Sequence, residues 1–430
     1  MTPLAHTRSF LQRFFFERGK VGRARWAFLL VVAVIGCSGL RAEEIADFTA
    51  APHNYWQREL HDPVTIALGK IQRGELAVDT SSSAAFLRSL LDIFHVPVHS
   101  QLLVFSATSF QSGLIHPSNP RALYFNESVY VGYVPGGRIE LIGIDPEVGA
   151  VFYIFDRLSP GGVPAFERSN RCMNCHAGTE THHVPGLVAE SVAASITGGS
   201  LETYVHDEIG HQIPLELRFG GWHLTGGHHL ARHYGNLLGA LSHGTLKTQV
   251  ILPGQMSDLS HYPVPTSDIL PHLIHEHQLG FVDRVLYATY LVRQMEEQHA
   301  DAAAQATAYE DAARMLTRYI LFADEAALPA NGIVGDPEYA QEFLQKKKAA
   351  SNGLSLRDLD LRHHMFRNRC SYMIYTPLWQ ALPDVVKSRV YHQMAAALQE
   401  TGAPPAYAYL GPQEKRDIGA ILKETLSDWP

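Results

Sequence analysis

Cys172-Met173-Asn174-Cys175-His176 places two thiols three residues apart, with an imidazole directly after the second. On one helical turn both sulfurs face the same way and the histidine lies beside them. Three chemistries suit that set. The thiols could add across the two vinyl groups of a haem while the imidazole takes the iron. They could cycle as a dithiol–disulfide pair, or supply half of a tetrahedral zinc site. Chance is a poor source of the pentapeptide, whose expected occurrence at this composition is on the order of 0.002. A redox pair asks for a thioredoxin-like βαβ setting, and none is evident. A zinc site asks for two further ligands, which the 24 histidines could provide. The spacing favours one covalently attached haem c, held by Cys172 and Cys175, with His176 as proximal iron ligand.

Here the sequence resembles the c-type cytochromes. The shared residues are Cys172, Cys175 and His176, followed by Pro185-Gly186-Leu187. Many small cytochromes c carry a similarly placed Pro-Gly-Leu or Gly-Pro-Leu. The resemblance implies that a backbone carbonyl there, with Pro185 as the residue at the cofactor, accepts the ring N–H of His176 and fixes its tautomer. It covers about residues 165–260. Much of the rest is similar to large, exported, single-haem cytochrome c domain proteins. The chain departs from a small carrier in its length, and its single C-x-x-C-H sets it apart from the two-haem bacterial peroxidases.

The second axial position would decide between electron transfer and catalysis. Met256, in Leu252-Pro253-Gly254-Gln255-Met256, sits in a Pro/Gly-flanked loop that suits a thioether ligand, or simply a methionine packed under a loop. Histidine is the other candidate, since fourteen of the 24 fall between His176 and His277. In Gly227-His228-His229-Leu230-Ala231-Arg232-His233, a helix would put His229 and His233 one turn apart. His228 or His233 as ligand would give a low-potential carrier. Left unbound beside Arg232, the same histidines would be acid–base equipment, so His228, His233 and Arg232 are also the catalytic candidates. His182 and His183 follow His176 too closely to reach the far side of a haem and read as rim residues. His272, His275 and Glu276 share a helix face with metal-competent spacing, or are merely a polar helix start; His277 could also reach the haem. Cys370 among apolar neighbours reads as a buried thiol, and Lys346-Lys347-Lys348 as a solvated helix end.

The elements that must position these residues point to an α+β fold: a front half containing a β-meander, a cytochrome c-like haem segment and an all-helical C-terminal half. Residues 54–73 and 84–95 have helical spacing, the second opened by Ser81-Ser82-Ser83. Short β-branched and aromatic runs at 102–106, 123–126, 128–134, 138–144 and 150–156 predict an antiparallel meander. Residues 160–265 carry many Gly, Pro and His and predict loops and short helices. Beyond 267 the apolar period predicts a long helix, followed by helices over 302–322, 338–348, 355–366, 384–399 and 412–426. The expected organisation is a leader over 1–42, helices plus meander over 43–160, a haem segment over 161–265 and a helical region over 266–430.

The 430 residues are 46% hydrophobic and 18% charged, which excludes a disordered polymer and a polytopic membrane protein. Residues 1–42 hold seven Lys/Arg against one acid, then an apolar run from Trp26 to Gly36 too short to span a bilayer. That pattern reads as an export signal, with lipidation at Cys37, cleavage after Ala42 or retention as an anchor all open. The remainder has 28 basic against 42 acidic residues, a net −14, which makes nucleic acid a poor partner. A membrane would be met only through the retained leader or a lipid. The main expectation is an exported monohaem carrier that exchanges electrons with a redox partner protein in the periplasm or envelope. A haem enzyme of peroxidase or oxygenase type with an open iron, and a haem-based sensor, are the alternatives.

Overall fold

Asp62 shows how the front half is pinned. In the computed structural model, which describes residues 45, 47–156, 165–205 and 209–430, it caps helix α1 (Pro63–Gln72) by accepting the N–H groups of Val64 and Thr65. Its carboxylate is wholly buried and also accepts from Thr65 Oγ1 at 2.7 Å and Tyr153 OH at 2.8 Å. Helix α1 starts later than the apolar period over 54–73 suggests, because Asn54 adopts a left-handed φ of 48° and Asp62 is spent as the cap. Helix α2 (Ser83–Ile93) opens as expected, Ser82 Oγ accepting from the N–H of Ala85 at 3.1 Å. The export leader at 1–42 lies outside the described residues.

Six strands follow: β1 (Leu102–Val104), β2 (Arg121–Phe125), β3 (Val129–Tyr133), β4 (Ile139–Asp145), β5 (Gly149–Phe155) and β6 (Phe166–Arg168). They form one antiparallel sheet in chain order, the meander the punctuation predicted. Every residue of β5 is buried, consistent with a strand covered on both faces. A four-residue helix, α3 (Met173–His176), comes next.

Between residues 160 and 265 the structure holds more than loops. Strands β7 (Val192–Ala194), β8 (Ser200–Thr203), β9 (Leu237–Ser242) and β10 (Thr245–Val250) make a second sheet in the order β10-β9-β7-β8. Its hairpin turns on His243-Gly244, both at positive φ, the two-residue turn that matches strand twist. The strands are short and β10 is almost wholly exposed, so they lack the alternation that marks a half-buried strand.

The C-terminal half is helical, with α4 (Ile269–Glu297), α5 (Ala302–Ile320), α6 (Pro337–Gln345), α7 (Pro377–Gln380), α8 (Asp384–Ala397) and α9 (Pro412–Thr425). The helix expected over 355–366 is absent. Ser355 and Asp358 bond each other in a tight turn, and Asp360 collects the N–H groups of residues 362 to 364, so the polar side chains satisfy the backbone locally. The fold class is α+β. One core runs from Ile45 to Leu426 through all three segments of the body. Its axis is α4, with 24 of 29 residues buried. Among the described residues no helix is long and apolar enough to cross a membrane.

Replacing Asp62 by alanine strips a cap from α1 and leaves the Tyr153 hydroxyl, on a wall of the cavity described below, without its carboxylate. We expect a loss of about 3 kcal/mol in urea unfolding. A loss below about 1 kcal/mol would show that the cap and the tyrosine are not coupled.

Candidate functional site

Helix α3 is a single turn, closed by His176 N–H to Cys172 O at 3.0 Å and Ala177 N–H to Met173 O at 3.2 Å. Buried Met173 anchors it in the core. Cys172 is half-buried and Cys175 exposed, and neither is in a disulfide. Desolvation raises both thiols above their ordinary range. A dithiol poised for exchange has its nucleophile lowered instead, so the environment does not favour that chemistry.

The His176 ring packs against Phe152 with centroids 4.5 Å apart. Its Nδ1 lies 3.1 Å from the carbonyl oxygen of Gly186. A carbonyl only accepts, so Nδ1 carries the hydrogen and Nε2 keeps its lone pair. Desolvation lowers the ring to about 4, leaving a neutral imidazole, the form that ligates a metal. The acceptor sits one residue beyond Pro185. The Pro185 carbonyl is occupied by the N–H of Ala150 at 2.9 Å, while Gly186 N–H returns to His176 O at 2.8 Å. This docking on β5 explains Gly149, which has a φ of 93° and where a Cβ would lie 2.6 Å from Pro185 O. The Pro185-Gly186-Leu187 loop therefore meets His176 through the carbonyl of Gly186, not that of Pro185.

Cys172, Cys175 and His176 all line a cavity of about 480 Å³, within the range of small-molecule and cofactor sites. Its walls are mainly apolar side chains of the meander, among them Leu123, Tyr130, Leu141, Ile142 and Phe152. The Arg121–Glu140 ion pair, at 3.1 Å, contributes charge on the same wall.

A second imidazole reaches this cavity from α4. His275 is 4% exposed and sits against Phe125, Tyr130 and Trp222 at ring-centroid distances of 5.0, 5.8 and 6.3 Å. Desolvation lowers its ring to about 3, and among the described residues it has no hydrogen-bond partner. The ring lines the cavity, so a group bound there can meet its unbonded nitrogens. Its neighbours on the shared helix face are committed elsewhere. His272 Nε2 lies 3.1 Å from His223 O and 3.2 Å from Ser267 Oγ, and Glu276 accepts from Arg218 Nη1 at 2.7 Å. Among the described residues, no three His, Cys, Asp or Glu side chains come together as a metal-ligating group.

The other sequence candidates lie off the cavity wall. Met256 packs against a small separate cluster of Phe105, Ala194, Leu238 and Ile251. His228 and His233 have ring centroids 4.7 Å apart, but the segment is not helical: His229 has a φ of 49° and its Nδ1 donates to Gly332 O at 3.0 Å. Arg232 is exposed. His182 packs on Tyr287, and His277 stacks in the core with His211, Tyr319 and Phe322. None of these lines the cavity.

No family model, no curated protein and no solved structure matches the chain. The likeness to c-type cytochromes rests on the motif and the loop that serves it.

The sequence flags His275 only as one of several histidines at a helix start. Its distinction from His272 and His277 depends on which way each ring points around a helix that is apolar on nearly every side.

Proposed function

We propose that the protein is an exported monohaem c-type cytochrome that carries single electrons between partners in the periplasm or cell envelope. One observation supports this above all: a single cavity gathers both thiols of C-x-x-C-H, the His176 ring with its Nε2 free, and the partnerless imidazole of His275. Cys172 and Cys175 would hold a haem c through thioethers, and His176 and His275 are the residues that would ligate its iron. Bound there, the haem supplies reversible one-electron iron chemistry. Two imidazoles rather than an imidazole and a thioether favour a low potential, so His275 takes the role expected of Met256, His228 or His233. Cys175 is exposed, which brings the attached edge of the group to the surface where a redox partner docks. The basic, then apolar, leader supports export, the side of the membrane on which covalent haem is attached. The acidic body speaks against nucleic acid.

The test is expression with haem-maturation machinery, followed by acid–acetone extraction and the absorption spectrum of dithionite-reduced protein with and without carbon monoxide. We expect haem that resists extraction in the natural chain and is lost from a Cys172→Ala/Cys175→Ala variant. The reduced spectrum should ignore carbon monoxide. Protein without haem would return the motif to thiol or zinc chemistry. Haem whose spectrum shifts with the gas would replace the carrier by an enzyme or a sensor.

A further inference from the structure

The peptide unit between Gly186 and Leu187 is engaged at both ends. Its carbonyl accepts from His176 Nδ1 at 3.1 Å, and its N–H, on Leu187, donates to Asp283 Oδ1 at 2.8 Å. Asp283 comes from α4, 96 residues away along the chain, and is 3% exposed. Its other oxygen, Oδ2, is buried without a hydrogen-bond partner among the described residues. The approach is close by construction: a Cβ at Gly186 would lie 2.5 Å from Asp283 Oδ1 and 3.0 Å from Thr181. A carboxyl is thus carried into the core and aimed at the back of the one peptide that orients His176.

Hydrogen bonds in series polarise one another. Negative charge at Asp283 draws the Leu187 N–H, makes the Gly186 oxygen a stronger acceptor and shifts electron density toward the His176 ring. A partner of the outer ring nitrogen raises the basicity of the ligating one. We propose that Asp283 is a positioning residue that sets the donor strength of His176 through the Gly186–Leu187 peptide. This rests on the haem reading above, because donor strength matters only if His176 ligates. The charged and titratable groups around Asp283 are Arg284 next to it on α4, Tyr130 from β3 and Tyr319 from α5. Burial holds its carboxyl well above the usual range, with Arg284 opposing. The effect therefore grows toward alkaline pH, where the carboxylate is ionised and favours the oxidised, more positive iron.

The experiment compares the natural chain with Asp283→Asn, which keeps shape and an acceptor oxygen but not the charge. Asp283→Ser serves if the amide disturbs packing. Two quantities are measured from pH 5 to 9: the midpoint potential, and the chemical shift of the His176 Nδ1 proton in ring-¹⁵N-labelled protein. At the alkaline end we expect the variant to hold about tenfold more reduced protein at equal poise, a 59 mV rise for one electron. The gap should narrow toward the acid end, where the carboxyl is protonated, and the ring proton should shift in parallel. A potential that moves without the ring proton would mean a direct field from the carboxylate and would overturn the relay. Covalent haem with neither quantity changed would overturn this inference alone. A natural chain without covalent haem would overturn the cofactor reading and this inference with it.

Discussion

With haem bound as proposed, His275→Ala is expected to turn an iron that ignores carbon monoxide into one that binds it. A protein ligand and an external gas compete for one coordination position, so the apparent affinity for the gas is scaled by the fraction of molecules in which the internal ligand is off. If ligation by His275 is worth about 4 kcal/mol, that fraction is on the order of 10⁻³, and removing the ring should tighten carbon monoxide binding about a thousandfold. The reduced spectrum should change to that of an open site in the same variant. Met256→Ala, His228→Ala and His233→Ala should leave it unchanged, since none of those residues lines the cavity. Met256→Ala opening the iron, with His275→Ala silent, would reverse the assignment.

The haem-free chain offers an independent check of the same residue. His275 makes no hydrogen bond among the described residues and its ring lines the cavity, so no protein contact depends on its nitrogens. His275→Leu should therefore be neutral or stabilising without haem, although most buried substitutions destabilise. A loss above about 2 kcal/mol in urea unfolding would show that the ring has a structural role instead.

The meander could be read from the chain because its strands are short apolar runs cut by Pro-Gly-Gly and Pro-x-x-Gly, and its turns are local. The Cys172-x-x-Cys175-His176 set could be read because it depends on spacing within a single helical turn. The rest depended on contacts between distant segments. His176 finds its acceptor ten residues away, at Gly186, and the choice between Pro185 and Gly186 is decided by Ala150, whose N–H occupies the proline's carbonyl. His275 and Asp283 lie on α4, which is buried on nearly every side, polar residues included, so the apolar period that predicts the helix could not tell which of its polar side chains line a cavity. The histidine-rich segment around 228–233 misled for the opposite reason: an i, i+4 pair suggests a helix, but Gly227 pairs with Val334 and His229 turns left-handed, so the segment is an irregular loop.

Acid should unfold this protein well above the pH at which ordinary carboxylates titrate. His223 and His272 are buried, at 1% and 3% exposure, and desolvation lowers both to about 4; His211, also buried, is pushed further down. An exposed imidazole titrates near 6.5. Between those limits the unfolded chain binds protons that the native chain refuses, so stability is complete above about pH 6.5 and falls as pH drops toward 4. Each such group contributes about 1.4 kcal/mol per pH unit within the window. The three together amount to several kcal/mol, a large share of a typical folding free energy. Asp268, the buried cap of α4, works in the other direction: desolvation raises it to about 6, so the native state gains a proton there first and recovers part of the loss below that value. Urea midpoints taken between pH 7.5 and 4.5 should therefore fall steeply below 6.5. His272→Gln keeps a donor for the His223 carbonyl but cannot titrate, and it should flatten that slope by about one proton's worth. An unchanged slope in that variant would mean that the native His272 accepts its proton without unfolding.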